Sequence, residues 1–213
     1  ANVDEEILSA WLAKQGHEPK IITKVLHELG KAKSLGGSKT LYDANREVYG
    51  LLRYGVKVSP DAGEQKVTVW LIDWKHPEKN DFAIAEEVTV AGVHDKRPDV
   101  VVYVNGIALG VLELKRSTVS VAEGIRQNLD SQKPEFIRSF FSTVQLVMAG
   151  NDTEGLRYGV IETPEKHYLQ WKEADGGGDA TRLLEEGLAS ICRPEHRLEI
   201  VHDFVVFDAG TKK

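Results

Sequence analysis

RPDVVVYVNGIALGVLELK, residues 97–115, is the stretch on which the fold turns. Its middle is apolar almost without a break, as in strands buried on both faces, and Asn105-Gly106 between the two halves is the strongest short hairpin signal a sequence carries. Both ends are charged. A buried carboxylate without a partner is destabilising by several kcal/mol, so Asp99 and Glu113 call for a cation, supplied by a side chain or a metal. Parity sharpens the point. With a strict two-residue loop Val104 pairs with Ile107, and Asp99 then faces the opposite side of the sheet from Glu113. A three-residue loop with Gly106 left-handed, or a bulge at Gly110, returns Asp99, Glu113 and Lys115 to one face. The spacing therefore predicts an odd loop or a bulge.

On that common face the E-x-K alternation sets carboxylate and ammonium roughly 6–7 Å apart at Cα. Two hard carboxylates suit Mg²⁺, which keeps several waters and takes substrate phosphate oxygens, while a neighbouring lysine offsets developing charge. Those are the needs of phosphodiester hydrolysis. The bland alternative makes Glu113 and Lys115 a strand-end ion pair and Asp99 a turn residue. A second PD with E-x-K, in PDAGEQK at 60–66, is a decoy: the two residues between Asp61 and Glu64 cannot span two strands.

Upstream, helical spacing runs through 4–14, 18–32 and 39–54, with Leu41, Ala44, Val48, Leu51 and Leu52 on one face of the third segment. Turn chemistry at 59–65 precedes strand-like runs at 67–72, 82–90, 100–104 and 107–115. Downstream, Ser120 with Glu123 reads as a capping box opening a helix whose apolar face is Val121, Ile125 and Leu129. A further helix is expected over 134–142, strands over 144–149, 156–161 and 167–171, flexible punctuation at the glycines of 175–179, and helices over 180–192 and 195–203. The fold class is α/β, a central mixed sheet flanked by helices with an N-terminal helical cap.

The chain has 213 residues, 41% hydrophobic and 28% charged, which suits one sizeable core. Its lone Cys192 cannot pair internally, arguing for a reducing compartment. Apolar runs of at most about seven residues exclude a membrane span, and the acidic start lacks the order of an export signal, so a cytoplasmic location is expected. Scattered histidines argue against structural zinc. The absence of a GxxxxGK[ST] string excludes a P-loop ATPase within these residues. The net charge of −6 opposes nucleic-acid binding overall, but residues 94–138 hold seven basic against six acidic residues, a modest local excess.

With Asn45-Arg46 and LRYG (52–55) upstream and QLVMAGNDTEGLRYGVIET (145–163) downstream, the block at 97–117 resembles the N-terminal nuclease region of the restriction (R, motor) subunit of type I restriction-modification enzymes. The tail DFVVFDAGTKK (203–213) is similar to the stretch leading into that family's helicase-type motor. The resemblance implies a restriction-endonuclease-like PD-(D/E)xK fold and Mg²⁺-dependent cleavage of double-stranded DNA. It also implies assembly with methyltransferase and specificity subunits, and ATP use confined to motor domains outside these residues. It places an endonuclease domain at 1–203, with a helical cap over about 1–55, a sheet core over about 56–175 and C-terminal helices over about 180–203. Residues 204–213 begin the connection to the motor.

Carried over, Asp99 and Glu113 match the metal ligands, Lys115 the catalytic lysine, and Gln127 the glutamine of a Q-x-x-x-Y element whose tyrosine position holds Ser131. The other register, Gln132 to Phe136, has an aromatic without a hydroxyl. Arg97, Arg116, Arg126 and Ser131 are DNA-contact candidates. Glu47, Glu87 and His94 read first as surface residues, and Trp70, Trp74 and Trp171 as packing. Two other readings stay open: a nuclease of this fold that works without a motor, and a non-catalytic docking module.

Overall fold

The computed structural model describes residues 1–61, 63–172 and 182–207. Three helices open the chain: α1 (Glu5–Lys14), α2 (Pro19–Lys33) and α3 (Leu41–Tyr54). Each start has a local cause. Asp4 accepts the Ile7 N–H at the first, Pro19 stands in the first turn of the second, and Thr40 with Asp43 forms a reciprocal capping box at the third. A hairpin of β1 (Val56–Val58) and β2 (Val67–Val69) follows.

The hairpin is a separate two-stranded sheet, not the first part of the main one. Val56, Val58 and Val69 pack into the same apolar cluster as Leu8, Leu12, Val25 and Leu52, so the segment belongs with the helical cap. The strand expected over 67–72 stops at Val69 because its partner β1 starts opposite it at Val56, straight out of α3; beyond that point the Leu71 carbonyl accepts from the Asn105 side-chain amide.

The main sheet has six strands in sequential order: β3 (Phe82–Glu86), β4 (Val100–Val104), β5 (Ile107–Leu114), β6 (Leu146–Asn151), β7 (Gly155–Gly159) and β8 (Leu169–Gln170). Every pairing is antiparallel except β5–β6, which is parallel and is crossed by helix α4 (Val121–Ser131). The sheet is mixed and mostly antiparallel. Strand β5 is buried from Ile107 to Glu113; residues 2–4 run beside its start and β6 beside its end.

The hairpin loop is two residues, with Val104 opposite Ile107 and both Asn105 (φ 50°) and Gly106 (φ 79°) left-handed, as a tight turn of this kind requires. The register then slips by one: Tyr103 faces Ala108, but Val102 faces Gly110. Of the two devices the spacing allowed, the chain uses the bulge.

Several expectations needed correction. Ser120 caps α4 through the Ala122 N–H, but Glu123 does not close a capping box; its carboxylate pairs with Arg126 at 2.7 Å. The segment 134–142 forms turns and a 3₁₀ helix, Arg138–Ser142, and at its end the carbonyls of Phe141, Ser142 and Val144 accept from the Asn45 amide of α3. C-terminally, α5 (Leu183–Ile191) and α6 (Pro194–Glu199) lead into a π-helical turn, Ile200–Phe204. Leu184, Leu188 and Ile191 cover Leu146, Met148 and Leu156. The glycine run at 175–179 and residues 208–213 of the expected connection lie outside the described residues. Among the described residues no helix is long and apolar enough to cross a membrane.

Candidate active site

The bulge decides where the charged ends of the hairpin point. Before it, Ile107 and Leu109 pack toward the helical cap and Ala108 toward the α4 side; after it, Val111 shares the cluster of Ala108, Val101 and Ile125. One residue of slip has flipped the alternation. The pairs Val101–Val111 and Val100–Leu112 continue to Asp99 beside Glu113. Both acids and Lys115 therefore face α4. The helix sits close, since a Cβ on Gly124 would lie 3.1 Å from Ala149 Cβ and 3.4 Å from Glu113 Cβ.

Asp99 closes the open end of the strand pair by accepting the Leu114 N–H on Oδ2 at 2.7 Å. Lys115, tied by its own N–H to the Gly150 carbonyl, sends Nζ to Gln127 Oε1 on α4 at 2.7 Å and stands 3.8 Å from Glu113 Oε2. Glu113 is 2% exposed, and its Oε2 has no hydrogen-bond partner. Burial, then the charge of Asp99, pushes the Glu113 carboxyl up to about 8, against the pull of Lys115 and Lys96. A buried, unpartnered carboxylate oxygen facing a second carboxylate is a site short of positive charge.

A divalent cation fits that shortage. Among the described residues no group of three His, Cys, Asp or Glu side chains forms a cluster that could hold a metal ion. The donors here are two hard carboxylates, a set Mg²⁺ accepts when waters and phosphate oxygens complete the shell.

Asp99, Glu113, Lys115 and Gln127 are thus brought together. Ser131 is not in reach of nucleic acid: it is 4% exposed and its hydroxyl donates to the Gln127 carbonyl one turn back. Arg126 is exposed but held by Glu123 and Glu165, so its charge is largely offset. Arg97 is exposed with one long contact to Glu87 at 3.6 Å, and Arg116 is exposed just past β5. Glu47 pairs with Lys39 on the helix surface, and His94 is exposed with its ring beside Phe136. Glu87 touches the site only through its backbone, donating its N–H to the Asp99 carbonyl.

The sequence reading counted Lys96 in the basic excess over 94–138 but not among the site residues. Its ammonium lies 4.0 Å from the Phe136 ring centroid and its charge reaches Glu113. The basic pair Lys96-Arg97 directly before Pro98-Asp99 was the available signal.

The family model described as type I restriction enzyme R protein N terminus matches residues 2–166. The chain is 28% identical over 176 residues to the HindI type I restriction enzyme endonuclease subunit of Haemophilus influenzae, covering 77% of the chain and 16% of the relative. It is 25% identical over 148 residues to the EcoprrI endonuclease subunit of Escherichia coli, covering 67% of the chain and 47% of the relative. A similarity of 24% over 185 residues extends to a putative type I endonuclease subunit, MjaIXP, of Methanocaldococcus jannaschii, covering 75% of the chain and 18% of the relative. The chain thus spans about a sixth of the first of these relatives.

Proposed function

This chain belongs to the family of type I restriction enzyme R protein N termini, and from that premise we propose that it is the endonuclease domain of such a subunit, a type I site-specific deoxyribonuclease of PD-(D/E)xK fold that hydrolyses double-stranded DNA phosphodiesters. One observation carries the reading: the β5 bulge sets Asp99 beside Glu113 and turns Lys115 to the same face, with Glu113 Oε2 buried and unpartnered. Asp99 and Glu113 would hold Mg²⁺, which supplies Lewis-acid activation of the phosphodiester when bound. The protein's own residues do the rest. Asp99 is held in place by the Leu114 N–H. Lys115, oriented by Gln127, presents a fixed ammonium where negative charge grows on the phosphate. Lys96 and Arg97 lie on the approach to Asp99 and would steer the phosphate backbone. A motor outside these residues would use ATP to translocate DNA to the site, with methyltransferase and specificity subunits as partners in a cytoplasmic complex.

The test is Asp99→Ala, Glu113→Ala and Lys115→Ala, each in the full-length assembled enzyme. The expected outcome is lost cleavage with ATP-driven translocation retained. If all three still cut DNA, the site assignment is wrong.

A further inference from the structure

At the turn end of the β4–β5 hairpin, away from the acids, α1, the last turn of α3 and the loop after β2 enclose a cleft of about 640 Å³, within the size range of small-ligand sites. Leu71, in that loop, is tied to Asn105 at the turn. The rise from Ile107 to Glu113 along β5 puts roughly 20 Å between the turn and the acid pair. The cleft is separate from the acid pair.

Three of the four tryptophans, Trp11, Trp70 and Trp74, line it. Trp11 Nε1 donates to the Lys79 carbonyl at 2.9 Å and Trp74 Nε1 to the Leu52 carbonyl at 3.0 Å, which fixes both rings; Trp11 is buried, and the His202 ring lies against Trp74 with centroids 4.8 Å apart. Trp70, just past β2, is 47% exposed, with its inner edge against Gly55. Around the rings the polar lining carries two fixed cations, Arg53 and Lys75, beside Gln15, His17, His76 and His202. Asp73 also lines the cleft, but its Oδ1 accepts the backbone N–H groups of Lys75 and His76, and His76 Nδ1 lies 3.3 Å away. Arg53 keeps one long ion pair, to Asp203 at 3.8 Å.

An exposed indole with cations at the rim matches a planar, anionic ligand, and we propose that the cleft binds a nucleotide unit, its base stacked on Trp70 beside the Trp74–His202 pair and its phosphate held by Arg53 and Lys75. An aliphatic anion would leave the indoles unused, and an uncharged aromatic ligand would leave the cations unused. The unit is either a free nucleotide or one residue of a DNA single strand.

Tryptophan fluorescence of the chain, titrated in EDTA with AMP and separately with a ten-residue oligothymidylate, reads the binding. Saturable quenching is expected, weakened at least about tenfold by Trp70→Ala and made less salt-dependent by Lys75→Ala. Tighter binding of the oligomer identifies a strand as the source, and equal or tighter binding of AMP a free nucleotide. Trp70 is exposed enough for its loss to leave the fold intact, which an unchanged thermal melt would verify. Glu113→Ala is expected to leave this quenching as it is, so the outcome is independent of the catalytic reading. No saturable quenching by either probe up to millimolar concentration, or quenching unchanged in Trp70→Ala with Lys75→Ala, overturns the proposal.

Discussion

The two ends of the β4–β5 hairpin place polar side chains equally deep and treat them in opposite ways. At the turn, Asn105 is fully buried and fully used: its amide donates to the Leu71 carbonyl and to Asn80 Oδ1, and its Oδ1 accepts the Asp81 N–H at 2.7 Å. At the open end, Glu113 is as buried, yet one oxygen has no partner and the nearest ammonium stands 3.8 Å off. The first arrangement ties the turn to the 71–81 segment and holds the fold together. The second stores an unmet demand for a cation, and the proposed metal site rests on that difference.

The largest effect should come from removing the demand. Glu113→Gln keeps the shape but loses the charge, and cleavage by the assembled enzyme should fall by at least about a thousandfold, with Lys115→Ala close behind at roughly 10²–10³-fold. A Glu113→Gln enzyme that cleaves at the normal rate would reduce the contrast between the two ends to one of packing.

A pH titration sharpens the same contrast. Glu113 sits at about 8 in the fold against 4.5 for a free side chain, so the folded state holds a proton that the unfolded chain has released. Metal-free stability should therefore fall as pH rises from about 4.5 to about 8 and level off above, a loss of a few kcal/mol on the order expected for a shift of this size. Urea melts across that range should show the slope in the native chain and lose it in Glu113→Gln. Binding of Mn²⁺ or Mg²⁺ must displace the proton, so affinity should drop about tenfold for each pH unit below 8. A flat profile would count against the acid pair as the ion's ligands.

At the turn the prediction reverses. Asn105→Ala strands the Leu71 carbonyl and the Asp81 N–H and removes the residue type that tolerates a positive φ. It should destabilise the fold by about 2–3 kcal/mol in denaturant melts. The metal affinity of the folded fraction should be unchanged; a parallel loss of metal binding would mean that the two ends are coupled.

The smallest effect is expected from Gln127→Leu, which frees the Lys115 ammonium without removing it. A roughly tenfold loss of cleavage, about 1.4 kcal/mol, with metal affinity retained would assign Gln127 to positioning.

Much of this was legible in the order of residues. The three opening helices fall within a residue or two of their expected spans because each has a cap or an apolar stripe of its own, and β4 and β5 follow from an unbroken apolar run around Asn105-Gly106. Parity even required the slip in β5, since only an odd device could put Asp99 and Glu113 on one face. Where the reading failed, a distant partner intervened. The end of the 134–142 segment is tied to Asn45 of α3, and β2 ends at Val69 because its partner β1 starts opposite it, straight out of α3, leaving the Leu71 carbonyl to Asn105. Ser131 has the right spacing from Gln127 to replace a tyrosine, but one turn of helix was enough to turn its hydroxyl back onto the Gln127 carbonyl.

Local pattern alone therefore determined most of the elements and the hairpin, because capping, periodicity and turn chemistry act over a few residues. The packing of α4 decided the rest: how deep Glu113 lies, that its Oε2 is left alone, that Gln127 rather than a carboxylate holds Lys115, and that Lys96 comes within reach. Burial and electrostatic environment arise from segments far apart in the chain, so they exist only once the helix has closed over the sheet.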